Sequence, residues 1–305
     1  MSAENTVALR SCLFASAHTP AETRRFENGP YVSWQTDAAR IFAQTRPSAE
    51  LRDQREQNRM SLSRRGQTVV EGKGRVATAE NHLIALLPRK ERGRLLAVCE
   101  RIELVRGEVL GEHGSPTRSV YFPTEGFISL VTSLDGKPVL EVGMVGREGM
   151  WGAHLALGVV TEPLHALVQG SGAAWRIGTR AFRGELARSA PLQRSINRYI
   201  YVLMAQLASS SACLRFHQIG PRLARWLLMS QDRADSETFY VTHQFLSYML
   251  GVRRVGVTAA AGELQRDGLI EYSRGDITVL NRAGLEAASC SCYAADCQAY
   301  SELLN

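Results

Sequence analysis

The stretch Val241 to Ile270, VTHQFLSYMLGVRRVGVTAAAGELQRDGLI, decides the reading of this chain, because it carries two helical patterns separated by a glycine. Thr242 stands where a side-chain oxygen can cap a helix, and Phe245, Leu246, Met249 and Leu250 follow at i, i+1, i+4 and i+5, one buried face. Gly251 supplies the turn, since the residue just past a helix end often needs a positive φ, where only glycine escapes a Cβ penalty. Arg253 to Asp267 continue as a second helix with Val257, Ala261 and Leu264 on its inner side. The second helix of such a helix-turn-helix can enter a DNA major groove with its N-terminal residues at the base edges. Arg253 and Arg254 stand there, and a guanidinium can meet guanine O6 and N7 with two parallel hydrogen bonds. Two short helices around a glycine also occur in all-α proteins without a DNA role, so the flanking sequence has to discriminate.

The downstream flank favours DNA. Gly268 to Ser273 and Asp276 to Leu280 read as two strands joined at Arg274-Gly275, a hairpin directly after the second helix. That is the order of a winged helix-turn-helix, with Arg274 at the wing tip in reach of a phosphate. Before it, Pro221 to Asp232 reads as a helix with Leu223, Trp226, Leu227 and Met229 packing into the same C-terminal domain.

Further upstream, Pro191 to His217 predicts one long helix. Ile196, Ile200, Leu203, Leu207, Ser210 and Leu214 step by 4, 3, 4, 3, 4, the spacing of a coiled-coil seam. The pattern fits a symmetric dimer helix, or a helix lying on its own domain. Ahead of it, residues 101–104, 109–110, 119–122, 127–132, 139–145, 164–169 and 173–177 read as short strands separated by glycine-rich turns, among them Asp135-Gly136. This is a jelly roll or small barrel. In 139–145, Leu140, Val142 and Met144 alternate with Glu141 and Gly143, the signature of a half-buried strand. Two short helices, around Leu83 to Leu87 and from Pro88 to Val98, precede the roll. Residues 1–78 lack sustained periodicity and read as a disordered extension, or as a start-site artefact if Met60 is the true start.

At 305 residues the chain has room for about two domains. Its net charge of +6 suits a polyanion, yet residues 219–305 carry 8 Arg against 10 Asp and Glu. A DNA contact must therefore come from a local face. The longest uncharged run, Tyr199 to Leu214, is too short and too polar for a membrane span. Ala15-Ser16-Ala17 resembles a signal-peptidase site, but Arg10 breaks the apolar core before it. Six cysteines without a framework spacing fit a reducing cytoplasm.

The motifs GEVLGEHGSPTRSVYFPTEGFISL in the roll and VTHQFLSYMLGVRRVGVTAAAGELQRDGLI downstream, with VGREGMWG and RLARWLL, resemble the Crp/Fnr transcription regulators from about residue 80 to 288. The resemblance implies an α+β chain. A cyclic-nucleotide-binding-like β-roll would span 79–190, a dimerisation helix 191–218, a winged helix-turn-helix 219–288 and a helical tail 289–305. It implies a homodimer on palindromic double-stranded DNA, with RNA polymerase as a further partner and no membrane association. Arg253, Arg254, Val255, Gly256 and Thr258 would face bases, while Thr242, His243 and Gln244 would lie near phosphates. Val255 replaces the family's glutamate and Ala259 its later arginine, so the familiar target site should not be assumed.

The effector side also departs from the family. Where cyclic-nucleotide binders place a ribose-binding glutamate and a phosphate-binding arginine, this chain has Gly149-Met150-Trp151 and Leu164-His165-Ala166. Glu148, Met150, Trp151, Leu164 and His165 are the corresponding pocket residues, and cyclic AMP is not the expected ligand. Cys290, Cys292 and Cys297 could bind zinc or sense oxidants, but no fourth ligand lies nearby in sequence. They are therefore expected as small apolar residues capping a terminal helix, with no metal and no cofactor. Scattered histidines, without a His-x-His pair, P-loop or nucleophile elbow, argue against an enzyme. The competing function is a dimeric signalling or scaffold protein that kept the architecture but lost specific DNA binding.

Overall fold

Asn81 fixes how the chain enters the fold. The computed structural model describes residues 80–132, 139–234, 236 and 238–304. The 1–78 extension and the Asp135-Gly136 turn lie outside the described residues. Asn81 caps the short helix α1 (His82–Ala85), accepting the Ile84 N–H at 3.3 Å, and its amide donates to the carbonyls of Gly149 and Pro123 at 2.7 and 2.9 Å. Its polar atoms are matched by those partners, as burial requires. Helix α2 (Arg89–Leu96) follows Pro88, whose missing N–H costs nothing at a helix start.

The roll comprises β1 (Glu100–Leu104), β2 (Val109–Gly111), β3 (Ser119–Pro123), β4 (Phe127–Thr132), β5 (Leu140–Val145), β6 (His165–Gly170) and β7 (Gly172–Gly178). They form two antiparallel sheets, β1-β7-β3 and β2-β6-β4-β5. Leu104, Tyr121 and Ala174 from the first sheet share a core with Ile128, Leu130, Val145, Ala166 and Val168 from the second. Strand β5 departs from the expected alternation. A register shift against β4 between Leu130 and Val131 breaks the period, and Gly143, Met144 and Val145 are all buried.

After α3 (Thr179–Arg188), Ser189 caps the 27-residue helix α4 (Ala190–Phe216), accepting the Leu192 N–H at 3.2 Å. The buried face of α4 runs through Leu192, Ile196, Tyr199, Val202, Gln206, Ser210 and Cys213. The Tyr199 ring lies so close to Gly149 that a Cβ there would sit 2.4 Å from it, which reserves that position for glycine. Of the expected seam, Ile196 and Ser210 are buried within the chain, while Ile200, Leu203, Leu207 and Leu214 are half-buried. Ile196 is fully enclosed with Phe122 and Phe182 of its own chain, and Leu203 packs onto the roll core. The exposed row is the same 4-3-4-3-4 ladder displaced by one residue: Asn197, Tyr201, Met204, Ala208, Ser211 and Arg215.

Helix α5 (Ile219–Ala234) leads into the head: β8 (Thr238–Tyr240), α6 (His243–Met249), α7 (Arg254–Arg266), β9 (Ile270–Ser273) and β10 (Asp276–Val279). The wing is a three-stranded sheet, β8-β10-β9, rather than a hairpin alone. Three residues, Thr-Phe-Tyr, are too few to show a period, so β8 left no signal. Trp226 is also corrected. It does not simply fill the head but stands between the two domains, edge-on to Phe239 and donating its indole N–H to Glu141 of β5 at 2.8 Å. After α8 (Arg282–Ala288), the last helix, α9 (Cys292–Leu303), returns along α4, and Leu304 is buried with Tyr199. Among the described residues, no helix is long and apolar enough to cross a membrane.

Burial raises the Glu141 carboxyl to about 7, against the opposing effects of Ser129 and Trp226 hydrogen bonds and the Arg233 and Arg225 charges. A carboxyl near 4.5 when unfolded and near 7 when folded makes the folded state bind more protons in between. Stability from this group therefore falls as pH rises across that window. Glu141→Gln keeps an acceptor for Trp226 and a donor for Ser129. We expect urea unfolding between pH 5 and 8 to show a flatter pH dependence in the variant, by up to about 3 kcal/mol across the window. Parallel curves would refute this account of the Trp226 junction.

Candidate nucleic-acid interface

The head is organised by local capping. Thr242 accepts the Phe245 N–H at 3.1 Å, which opens α6, and Gly251 closes it with φ +61°. Phe245, Leu246, Met249 and Leu250 are buried, as their spacing predicts. Arg222 of α5 donates to the Leu250 carbonyl, satisfying a backbone acceptor at the C-terminal end of α6. Helix α7 turns Val257, Ala260, Ala261 and Leu264 inward. Arg254, Val255, Thr258 and Ala259 form its exposed stripe, and Arg253 is exposed at the N-cap. Val255 is 72 % exposed.

The residues expected near this surface divide into two groups. Arg253, Arg254, Val255 and Thr258 share the exposed end of α7. Gly256 does not, because it faces Ile219, whose Cδ1 would lie 2.7 Å from a Cβ there. Its role is close packing of α7 on the start of α5. His243 is half-buried, stacked on Tyr272 of β9 with ring centroids 4.3 Å apart, and its Nδ1 lies 3.0 Å from the Thr258 hydroxyl. Burial, then the Arg254 charge, lowers its pKa, which favours the neutral ring at neutral pH. His243 thus joins α6, α7 and the wing. Gln244 donates to Ser247 at 3.4 Å on the same helix. Tyr272 carried no sequence signal, since its value comes from a ring brought alongside His243 by the fold.

Arg274 lies at the wing tip with φ +52°, followed by Gly275 at +97°. Two successive positive φ values make the tight hairpin turn expected at Arg274-Gly275, and Gly275 is packed against the Tyr240 ring. Among the described residues Arg274 alone, apart from glycines, has positive φ.

Charge is sorted by burial. Arg222 and Arg233 are buried, and Arg225 is largely so, paired with Asp296 at 2.6 Å. Arg282 engages Asp232 at 2.7 Å and Glu286 at 2.9 Å. Arg253, Arg254, Arg266 and Arg274 are exposed on α7 and the wing. Glu263, Asp267 and Glu271 are exposed further along α7 and on β9, so the basic character is confined to the N-terminal end of α7 and the wing tip.

The residues expected in an effector pocket are not brought together. Trp151 is in the roll interior, 5.4 Å from the Tyr121 ring, with Leu164 packed beside that core. Gly111 admits the indole, since a Cβ there would lie 2.4 Å from it. Met150 faces the other way, into the core shared with Tyr199 and α3. Glu148 points out of the roll to Arg233 of α5, 2.8 Å away, because that buried cation needs a carboxylate. Burial lowers the Arg233 pKa, and Glu148, with Tyr300 and Asp232, more than restores it, for a net rise. The pair lines a cavity of about 580 Å³ with Arg147, Asp232, Tyr293 and Tyr300. Burial, then His113, lowers the pKa of His165, so it offers no fixed cation at neutral pH.

Residues 221–288 match the family model of the Crp-like helix-turn-helix domain. The chain carries a Crp-like helix-turn-helix domain. About two thirds of the chain has the fold of solved Crp/Fnr regulators. One, assigned to that family in Eubacterium rectale ATCC 33656, is 17% identical with TM-score 0.54, covering 68% of this chain and 99% of the other. The c-di-GMP responsive global regulator of Xanthomonas campestris is 18% identical with TM-score 0.52, over 63% and 99%. A Crp/Fnr-family regulator from Thermus thermophilus is 21% identical with TM-score 0.52, over 62% and 98%. No curated protein sequence matches the chain.

The Crp-like domain yields a test at its wing. Asparagine tolerates the left-handed backbone that Arg274 occupies but has no charge. Arg274→Asn should leave thermal stability unchanged within about 0.5 kcal/mol, or slightly higher. It should also weaken DNA binding uniformly across sequences and reduce the log–log salt slope by about 1. An unchanged slope would remove Arg274 from the phosphate contacts.

Proposed function

We propose that this protein is a homodimeric, sequence-specific DNA-binding transcription regulator of the Crp/Fnr type, whose input is not cyclic AMP. The observation that carries the reading is the exposed end of α7, with Arg253, Arg254, Val255 and Thr258 open to solvent, together with the exposed Arg274 at the wing tip. The two arginines supply guanine-reading forks, and Val255 supplies an apolar surface suited to a thymine methyl. Thr242 and Gln244, at the start of α6, lie toward the backbone phosphates. Two such heads related by two-fold symmetry would read half-sites about 34–36 Å apart. RNA polymerase is the expected further partner of the bound dimer.

The dimer reading rests on α4. Tyr201 and Met204, each 63 % exposed, are two large apolar side chains left open to solvent in the displaced 4-3-4-3-4 row of α4. Trp151 inside the roll, and His165 where an arginine would meet a phosphate, support an input other than a cyclic nucleotide. A ligand entering the 580 Å³ cavity would instead meet the Glu148–Arg233 pair that joins roll to head.

Selection from a random DNA library with the full-length protein should enrich a palindrome. Arg254→Ala should lose about 1–3 kcal/mol of specific binding and relax one base position per half-site. Equal binding of wild type and variant would sink the assignment of Arg254, and no enriched site at all would favour a scaffold. Separately, Met204→Glu places a carboxylate on the exposed row. It should shift sedimentation from dimer toward monomer without altering far-ultraviolet circular dichroism. A dimer of undiminished affinity would place the interface elsewhere.

A further inference from the structure

The end of α4 and the beginning of α9 meet at a cluster that the helix-turn-helix function does not use. Cys213 lies in the last turn of α4, and His217 follows as its C-cap. Cys290 and Cys292 flank Ser291 at the start of α9, more than seventy residues later. Cys213, Cys290 and Cys292 are buried and form an apolar cluster of their own. One ligand atom from each of the three cysteines and His217 lies within 4.8 Å of all the others. Cys213 Sγ and Cys290 Sγ are 3.6 Å apart, and Cys292 Sγ is 3.5 Å from His217 Nδ1. A tetrahedral zinc ion with bonds of ~2.3 Å to sulfur and ~2.0 Å to nitrogen has ligand–ligand edges of about 3.5–3.8 Å. The two measured separations fall on such edges.

We propose that Cys213, His217, Cys290 and Cys292 bind one Zn²⁺ in a closed, structural Cys₃His site. Three soft sulfurs and one imidazole, with no open position, are the donor set of structural zinc rather than of catalytic zinc or of a hard cation. Binding releases the three thiol protons and uses neutral His217 through Nδ1, leaving a net charge of −1 on the site. The Cys290 N–H donates to the Pro221 carbonyl at 3.3 Å, which positions the tail against the first turn of α5. The ion would thus lock the α4–α5 joint at Gln218 to the C-terminal helix, fixing the angle at which the head leaves the long helix. The proposal departs from the expectation of cysteines that merely cap a terminal helix. The expected third member, Cys297, is exposed and outside the cluster, while Cys213 and His217 replace it.

The test uses full-length protein purified without chelators. Mass-spectrometric metal analysis should give one zinc per chain. Replacement by Co²⁺ should give the intense visible bands of a tetrahedral site, with thiolate charge transfer in the near ultraviolet. Cys290→Ser should weaken metal binding by about 100-fold or more, whereas Cys297→Ser should leave it unchanged. His217→Cys should retain the ion and raise the charge-transfer intensity by about one third, from three thiolates to four. That gain would not follow from a packing role. Stoichiometric zinc with this spectral pattern establishes the site. Metal-free protein with all thiols reduced, a Cys213–Cys290 disulfide, stoichiometric iron, or equal loss in Cys297→Ser would each overturn it.

Discussion

The ion pair between Glu148 and Arg233 is the constraint on which the arrangement of this molecule depends. Arg233 is almost wholly withdrawn from water, and a buried cation left without its carboxylate costs about 3–5 kcal/mol. Glu148 belongs to the roll and Arg233 to the helix that carries the head. Separating the two domains therefore means rehydrating both charges at once. Trp226 with Glu141 repeats the device on the next turns of α5, and Arg225 with Asp296 extends it to the tail. Helix α5 is consequently a hub, with polar anchors to roll, head and tail.

Such anchors differ in kind from the apolar cores on either side. Burial of Leu or Phe is tolerant of small rotations, but a hydrogen-bonded charge in a low-dielectric seam has few acceptable geometries. A signal can reorient the head only if it favours one arrangement of these groups over another. The cavity beside Glu148 and Arg233, and the titrating carboxyl of Glu141, both lie where such a bias would act. The roll interior, occupied by Trp151, is less well placed to do so.

In the head the position of the charges matters more than their count. Counted along the chain, its acids outnumber its bases, which argues against a polyanionic partner. In three dimensions Arg222, Arg225, Arg233 and Arg282 are consumed by internal partners, as are Asp232, Glu286 and Asp296. Arg253 and Arg254 remain exposed at the N-terminal end of α7 and Arg274 at the wing tip, whereas the exposed acids Glu263, Asp267 and Glu271 lie further along α7 and on β9. Net charge misled because it carries no position: the acids that remain are not at the N-terminal end of α7, where Arg253 and Arg254 stand.

The amino-acid sequence by itself determined everything that depends on neighbours a few residues apart. Thr242 capping Phe245, the positive φ of Gly251, the Arg274-Gly275 turn and the inner face of α7 are local consequences of hydrogen-bond and steric preferences. The roll was legible for the same reason, through short strands punctuated by turns. The α4 seam was legible only as a period, because sequence stepping cannot tell which of two adjacent rows meets its own core. Tertiary structure chose Ile196 and Tyr199 for the inside and left Tyr201 and Met204 outside. It also turned Glu148 away from the roll and put Trp226 between domains. It brought Cys213 and His217 to Cys290 and Cys292, by returning α9 along α4. These are pairings across long chain separations, set by what each side chain must satisfy once water is gone, and no local pattern encodes them.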